Sequence, residues 1–193
     1  MLVRRTRRAA AVAAGLVFLS VMAACEANPS PAPLPSESPS PSATRSASSS
    51  PTVAAPTLPA EAKGTSEASA KAFVRHWIET LNYAGPSRET RQLKQISAPG
   101  CAACTAITDL IDEVDASGGY IRGSGWTINS VETLDDSPGR RIIVEAQVSA
   151  APQDILQAPD EEVVHFDGGD RLKTFWLLHG REGWAVTRLD QPE

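Results

Sequence analysis

Arg141-Ile142-Ile143-Val144-Glu145-Ala146-Gln147-Val148-Ser149-Ala150 is the stretch whose reading decides the fold. Ile142, Val144, Ala146, Val148 and Ala150 occupy every second position, with Arg141, Glu145 and Gln147 turned the other way. A period of two is the mark of a strand buried on one face. Weaker alternations surround it. Upstream, Trp126, Ile128 and Ser130 alternate with Thr127, Asn129 and Val131, and Asp135-Asp136-Ser137-Pro138-Gly139 reads as a turn. Downstream, Ala151 to Asp160 carries two prolines and reads as a loop. Val163 to Phe166 starts another strand, Asp167-Gly168-Gly169-Asp170 turns it, and Leu172 to His179 returns. His179-Gly180-Arg181-Glu182-Gly183 is a second tight turn, into Trp184 to Leu189. Sequential strands with short turns predict an antiparallel meander, one face covered and the other wet.

Before these strands the period is three and four. Gly64-Thr65-Ser66 precedes Ala70, Phe73, Val74, Trp77, Ile78 and Leu81, the apolar face of a helix. Thr65 or Ser66 can cap it, Glu67 suits its positive end, and Gly85-Pro86 is expected to stop it. Arg75, Glu79 and His76 fall off the stripe; His76 reads as a surface or satisfied histidine and receives no role. A shorter helix is expected from Ser87 to Ile96, burying Leu93 and Ile96, with Ser97-Ala98-Pro99-Gly100 breaking it. A third runs from Cys101 to Gly118-Gly119, with Cys104, Ile107, Leu110, Ile111 and Val114 inward. Asp109, Asp112, Glu113 and Asp115 form its wet face, a better account of four acids than a metal cluster.

Helices first and an antiparallel sheet afterwards make an α+β domain. The expectation is about three N-terminal helices packed on a curved, cone-like sheet of four to five strands. This order resembles the cone-shaped folds of the nuclear-transport-factor-2-like kind.

The N-terminus is of another character. Arg4, Arg5, Arg7 and Arg8 precede an uncharged apolar run, Ala9 to Ala24, and the run closes with small residues before Cys25. That is the layout of a cleavable export signal. Its sixteen apolar residues fall short of the ~20 that span a bilayer. A cysteine directly after the cleavage point is the nucleophile for a diacylglyceryl group, so residues 1–24 read as a lipoprotein signal peptide and Cys25 as the lipidated residue. The expected localisation is the cell membrane, lipid-anchored through Cys25 and facing the extracytoplasmic side. Met22 stands where a lipobox usually has Leu. Residues 25–62 read as a disordered Pro/Ser-rich tether. From Glu26 to Ala60 there are nine prolines, nine serines, no glycine and no aromatic residue, too little apolar area to offset ordering entropy. Extended, such a segment reaches on the order of 100 Å. Residues 63–193 then form a single α+β domain, large enough for its own core.

Net charge is −5 for the whole chain, and loss of four arginines with no acid takes it to −9. A chain this acidic, without a basic cluster, is not built for nucleic acid or anionic headgroups.

Cys101 and Cys104 stand at i and i+3 of a helix start, ~5–6 Å apart between Cβ atoms. That distance suits a disulfide, and an oxidising compartment favours one. Two other chemistries are open to the pair. A thioredoxin-like redox site would use the helix end to lower a thiol pKa, but its motif should follow a strand. Zinc would need two more ligands, and His76, His165 and His179 are not spaced to supply them.

Ala72-Phe73, Leu81-Asn82-Tyr83-Ala84, Cys101-Ala102-Ala103-Cys104, Gly118-Gly119 and Gly125-Trp126 together resemble actinobacterial lipoproteins of uncharacterised function. The resemblance covers the folded domain and the Pro/Ser-rich N-terminus, and it implies no activity. Ala84-Gly85-Pro86-Ser87 departs from it, where a Thr-Gly-Asp-like turn is expected.

No Ser-His-Asp spacing, HExxH, phosphate loop or nucleophile elbow occurs. No catalytic residue, cofactor or metal is therefore assigned, and the residues weigh against an enzyme. The reading is a non-enzymatic binding or interaction module, its candidate partners an envelope protein, a wall polymer or a small ligand. The alternative is a cone-like fold with a ligand-binding or enzymatic pocket lined by Tyr83, Tyr120, Asp170 or His179; a thiol–disulfide redox protein is a further one. Trp126, Trp176 and Trp184 read as core rather than as an aromatic surface.

Overall fold

The computed structural model describes residues 54–134 and 141–191. The leader 1–24, Cys25, the tether as far as Val53 and the Asp135–Gly139 turn lie outside the described residues. Three helices and seven strands follow in order: α1 (Glu67–Ser87), α2 (Arg91–Gln95), α3 (Ala102–Ala116), β1 (Tyr120–Arg122), β2 (Trp126–Thr133), β3 (Arg141–Ala150), β4 (Gln153–Leu156), β5 (Val164–Phe166), β6 (Gly169–Gly180) and β7 (Gly183–Asp190). The α+β class holds: helices pack on antiparallel strands.

The decisive stretch is β3. It pairs antiparallel with β6 over its whole length, from Arg141↔Leu178 to Ala150↔Gly169, inside a sheet of order β2-β3-β6-β7. Ile142, Val144, Ala146 and Val148 are buried, as the alternation demands. Phe175 and Leu177 stand beside them on β6, and Val131, Trp184, Val186 and Leu189 complete the buried layer. Extra residues at Ile128/Ser130 on β2 and opposite Trp176/Leu177 on β7 break the register. Such bulges bend a strand and increase its twist, which curls the sheet.

Helix α1 lies on the covered face. The Ser66 hydroxyl accepts from the Ser69 N–H at 3.2 Å, capping the first turn. Ala70, Phe73, Val74, Trp77 and Ile78 are buried as one stripe. The Trp77 ring meets Phe175 edge-on, centroids 5.4 Å apart, the geometry that aromatic quadrupoles favour. Burying a side chain of this size contributes about 2–3 kcal/mol.

Several expectations are corrected. The strands form two sheets, because Gln153–Leu156, read as loop, is a strand. It sits between β1 and β5 in a three-stranded sheet, with Tyr120↔Leu156 and Gln153↔Phe166 in register. Helix α1 does not stop at Gly85-Pro86; it continues to Ser87, where Arg88 at φ 62° closes it and donates its N–H to the Ala84 carbonyl. Its extra turn takes Ser87 from the second helix, which is left with five residues; Leu93 is buried and Ile96 only half-buried. His76 is not a surface residue. It is 1% exposed, because α1 is packed by the segment before it and by α2 as well as by strands. The boundary between tether and domain also moves N-terminally from 62/63. Ala60–Lys63 form a 3-10 turn with Ala62 buried, Leu58 packs on the core, and the Pro56 carbonyl accepts from the Gln92 amide.

Among the described residues no helix is long and apolar enough to cross a membrane.

Candidate functional site

Between the C-terminal half of α1, α3 and the three-stranded sheet lies an apolar cleft of about 140 Å³. Leu81 comes from α1; Ile107, Leu110 and Ile111 from α3; Ile121 from β1, Trp126 from β2 and Ile155 from β4. Asn82 and Gln153 are the amides at its wall, and Gly85, Gly123 and Gly125 its rim. None of the lining side chains ionises.

The wall is fixed by backbone-level devices. Asn82 donates its Nδ2 to the Trp126 carbonyl and accepts the Trp126 N–H at Oδ1, both at 2.8 Å. That pair of hydrogen bonds seats the start of β2 against α1. It also leaves no room at Gly125, where an added Cβ would stand 2.1 Å from Asn82 Oδ1 and the backbone already has φ +75°. Gly119 permits an equally close approach, since a Cβ there would lie 2.0 Å from the Leu156 carbonyl oxygen. The Asn82, Gly119 and Gly125-Trp126 positions are thus architectural: they set β1 beside β4 and Trp126 into the cleft.

The residues expected to line a pocket do not meet here. The Tyr83 hydroxyl bonds to Glu89 at 2.9 Å, a bond that, with some burial, raises its pKa. Tyr120 lies under the Arg122 guanidinium. Asp170 accepts from Ser149 at 2.6 Å in an exposed position, and His179 stands edge-on to Trp184. Sequence reading missed the cleft because its lining was assigned to the core; Leu81, Ile107 and Leu110 are in fact half-buried.

The tryptophans divide as well. Trp184 is buried and donates to Ser69 Oγ at 3.1 Å. Trp126 and Trp176 are half-buried and occupy opposite faces of the four-stranded sheet, since Trp126 pairs with Ala150 and Trp176 with Ile143. A cation covers each: Lys173 on Trp126 at 4.7 Å and Arg188 on Trp176 at 4.5 Å. Burial, with Arg171 nearby, lowers the Lys173 pKa.

Cys101 and Cys104 are bonded, S–S 2.04 Å and Cα–Cα 5.3 Å. Both residues are sealed, at 0% and 1% exposure, which denies an incoming thiolate the access that exchange chemistry needs. The segment they terminate is stitched to the sheet edge: the Ala98 N–H bonds to the Val186 carbonyl and the Val186 N–H to the Ile96 carbonyl. Trp77 Nε1 donates to Ser97 Oγ at 2.9 Å from the other side. Beside the disulfide lies a broader depression lined by Lys94, Ser97, Thr105, Thr108 and Asp109, with Cys104, 1% exposed, at its floor.

Two of the acids of α3, Asp112 and Asp115, are engaged, each with its own partners. Burial opposes ionisation of Asp112, yet bonds from Lys94 and Thr90 hold its carboxyl below the usual range. Asp115 faces Arg88 at 3.3 Å. Among the described residues no three His, Cys, Asp or Glu side chains converge as metal ligands. His76 is fully enclosed with both ring nitrogens unpartnered, and burial lowers its pKa against the opposing pull of Glu79.

Residues 42–190 match a family of unknown function, DUF6318. The chain belongs to that family. Membership of DUF6318 brings no activity with it, and no curated protein matches the chain. Among solved structures, the intermembrane-space region of the chloroplast protein ARC6 is similar, with TM-score 0.49 and 17% identity over 63% of this chain and 92% of that one. A domain of unknown function with a cystatin-like fold from Nostoc punctiforme is similar with TM-score 0.34 and 13% identity, over 65% of this chain and 75% of that one.

Proposed function

We propose that this protein is a lipid-anchored, extracytoplasmic module of the cell envelope of actinobacteria that binds rather than catalyses, and that its cleft receives a small uncharged apolar group. The lining carries the binding half of this reading. Leu81, Ile107, Leu110, Ile111, Ile121, Trp126 and Ile155 surround the space, whereas acid–base chemistry calls for an ionisable group with a perturbed pKa in the cleft. A space of about 140 Å³ is close to the dry, benzene-sized cavity that aliphatic walls can hold. Asn82 is already committed to Trp126, which leaves Gln153 as the amide at the wall free to orient a guest.

The compartment rests on sequence: the arginine-led leader, small residues before Cys25, the Pro/Ser-rich segment after it, and a cysteine pair that favours an oxidising exterior. Lipid on Cys25 would provide two acyl chains, enough for stable anchoring.

The test of the cleft is a methyl NMR titration of the full chain with toluene. Saturable shifts are expected at Leu81, Ile107, Leu110, Ile121 and Ile155, and loss of those shifts in Leu110→Trp, which fills the space. Shifts that never saturate, or that scatter over the domain, overturn the cleft as a receptor. Mass spectrometry of the mature N-terminus tests the anchor; an unmodified Cys25 removes it.

A further inference from the structure

Strand β5 closes one side of the three-stranded sheet. It pairs with β4, and among the described residues no strand lies along its other edge. All three of its residues are exposed, and the large apolar side chains Val163, Val164 and Phe166 stand 47%, 46% and 50% in solvent. Free strand edges are blunted by being very short, by a Lys or a Pro, or by a bulge; β5 is short, at three residues, but the Val163–Phe166 stretch has neither Lys nor Pro. Acids bracket it instead. Asp160, Glu161 and Glu162 precede it and Asp167 and Asp170 follow, all exposed, with no Lys or Arg among residues 160–170. His165 is occupied by Asp154, Nδ1 to Oδ1 2.7 Å, with Asp167 3.7 Å from its other nitrogen.

We propose that the outer edge of β5 is a docking strand for an extended, basic and apolar polypeptide segment of a partner protein. Three features select this occupant. An unpaired strand edge offers N–H and C=O groups at peptide spacing, which an extended polypeptide satisfies by adding as a further strand. Val164 and Phe166 project to one side of that edge, so apolar residues at alternate positions of the incoming segment cover them. The acidic brackets attract basic flanks and repel a second copy, because two β5 edges would bring like charges together. The same charge excludes polyanions. Val164 and Phe166 stand opposite Ile155 and Gln153 and so share the sheet face that lines the cleft, without lining it themselves; the docking test reads amides 163–166, and the toluene test reads the cleft methyls.

The full chain is titrated with short peptides alternating Lys with Val, and in parallel with sign-reversed peptides alternating Glu with Val. The Lys–Val peptide is expected to bind saturably, to weaken as salt rises, and to slow amide exchange at residues 163–166. Phe166→Lys, at a half-exposed position where folding is not at stake, should weaken binding about tenfold. Leu178→Lys, on the four-stranded sheet, should leave binding unchanged. Absence of saturable binding, equal binding of the Glu–Val peptide, protection appearing elsewhere, or an unaffected Phe166→Lys would each overturn the proposal. So would dimerisation of the chain without peptide that Phe166→Lys abolishes, since the occupant would then be a second copy.

Discussion

In the four-stranded sheet, β3 and β6 pair from Arg141↔Leu178 to Ala150↔Gly169, and Ile142, Val144, Ala146, Val148, Phe175 and Leu177 are closed off from water. In the three-stranded sheet no strand exceeds four residues, and Ile155 is its one buried side chain. The first sheet is held by apolar area. The second is held by close backbone approach at Gly119, against the Leu156 carbonyl, and at Gly123, against the Pro152 carbonyl. Stability therefore concentrates on one side of the domain, while the cleft and the open β5 edge both belong to the other. Regions with few buried contacts are where local opening is cheapest, and binding surfaces are drawn from them.

The sharpest way to break this comparison is to cut each sheet at its buried centre. Phe175→Ala should cost about 3–5 kcal/mol and Ile155→Ala about 2 kcal/mol, read from urea midpoints. Amide exchange separates them further: Phe175→Ala should speed exchange throughout, Ile155→Ala mainly in β1, β4 and β5. Equal global loss in both variants would mean one cooperative unit. Next in size is Asn82→Ala, which leaves the Trp126 N–H and carbonyl without their partners at a cost of about 1–3 kcal/mol. It should also erase the toluene shifts in the cleft while β3 and β6 stay protected.

The smallest effect, and one of opposite sign, concerns His76. Burial holds its pKa below the ordinary 6.5, so as pH falls the unfolded chain takes up its proton first. Stability is then full above about pH 6.5 and declines as pH drops toward the folded-state value. His76→Leu removes two enclosed, unpartnered nitrogens and should gain about 1 kcal/mol near neutrality. It should also flatten the decline that sets in as pH falls below the ordinary histidine range. A variant as acid-sensitive as the parent would assign that sensitivity to other groups.

The long elements were legible because their period is local. Ile142 to Ala150 alternates over ten residues, and Ala70 to Leu81 repeats at helical spacing, so each declares its buried face unaided. Strand β4 did not, since Gln153–Leu156 has four residues next to Pro152 and only Ile155 to mark an inner side. Its pairing with Tyr120–Arg122 is a long-range contact that no window of sequence contains. The cleft was hidden for a related reason: Leu81, Ile107 and Leu110 look like core until the packing shows what stops short of them. Period alone puts His76 on the wet side because it is polar, and here the buried stripe is wider than the apolar set. In the sequence Gly119 and Gly125 stand out only through a resemblance; the close approaches that require them appear in three dimensions.

The Pro56–Gln92 contact has a mechanical consequence. A pull arriving from the N-terminal side meets that bond first, then the seats of Leu58 and Ala62, then the Gly64 carbonyl held by the Ser69 hydroxyl at 2.6 Å. These give way in succession, like stitches, before tension reaches the enclosed face of α1. The domain is thus fitted with a short strain-relief segment at its N-terminal edge.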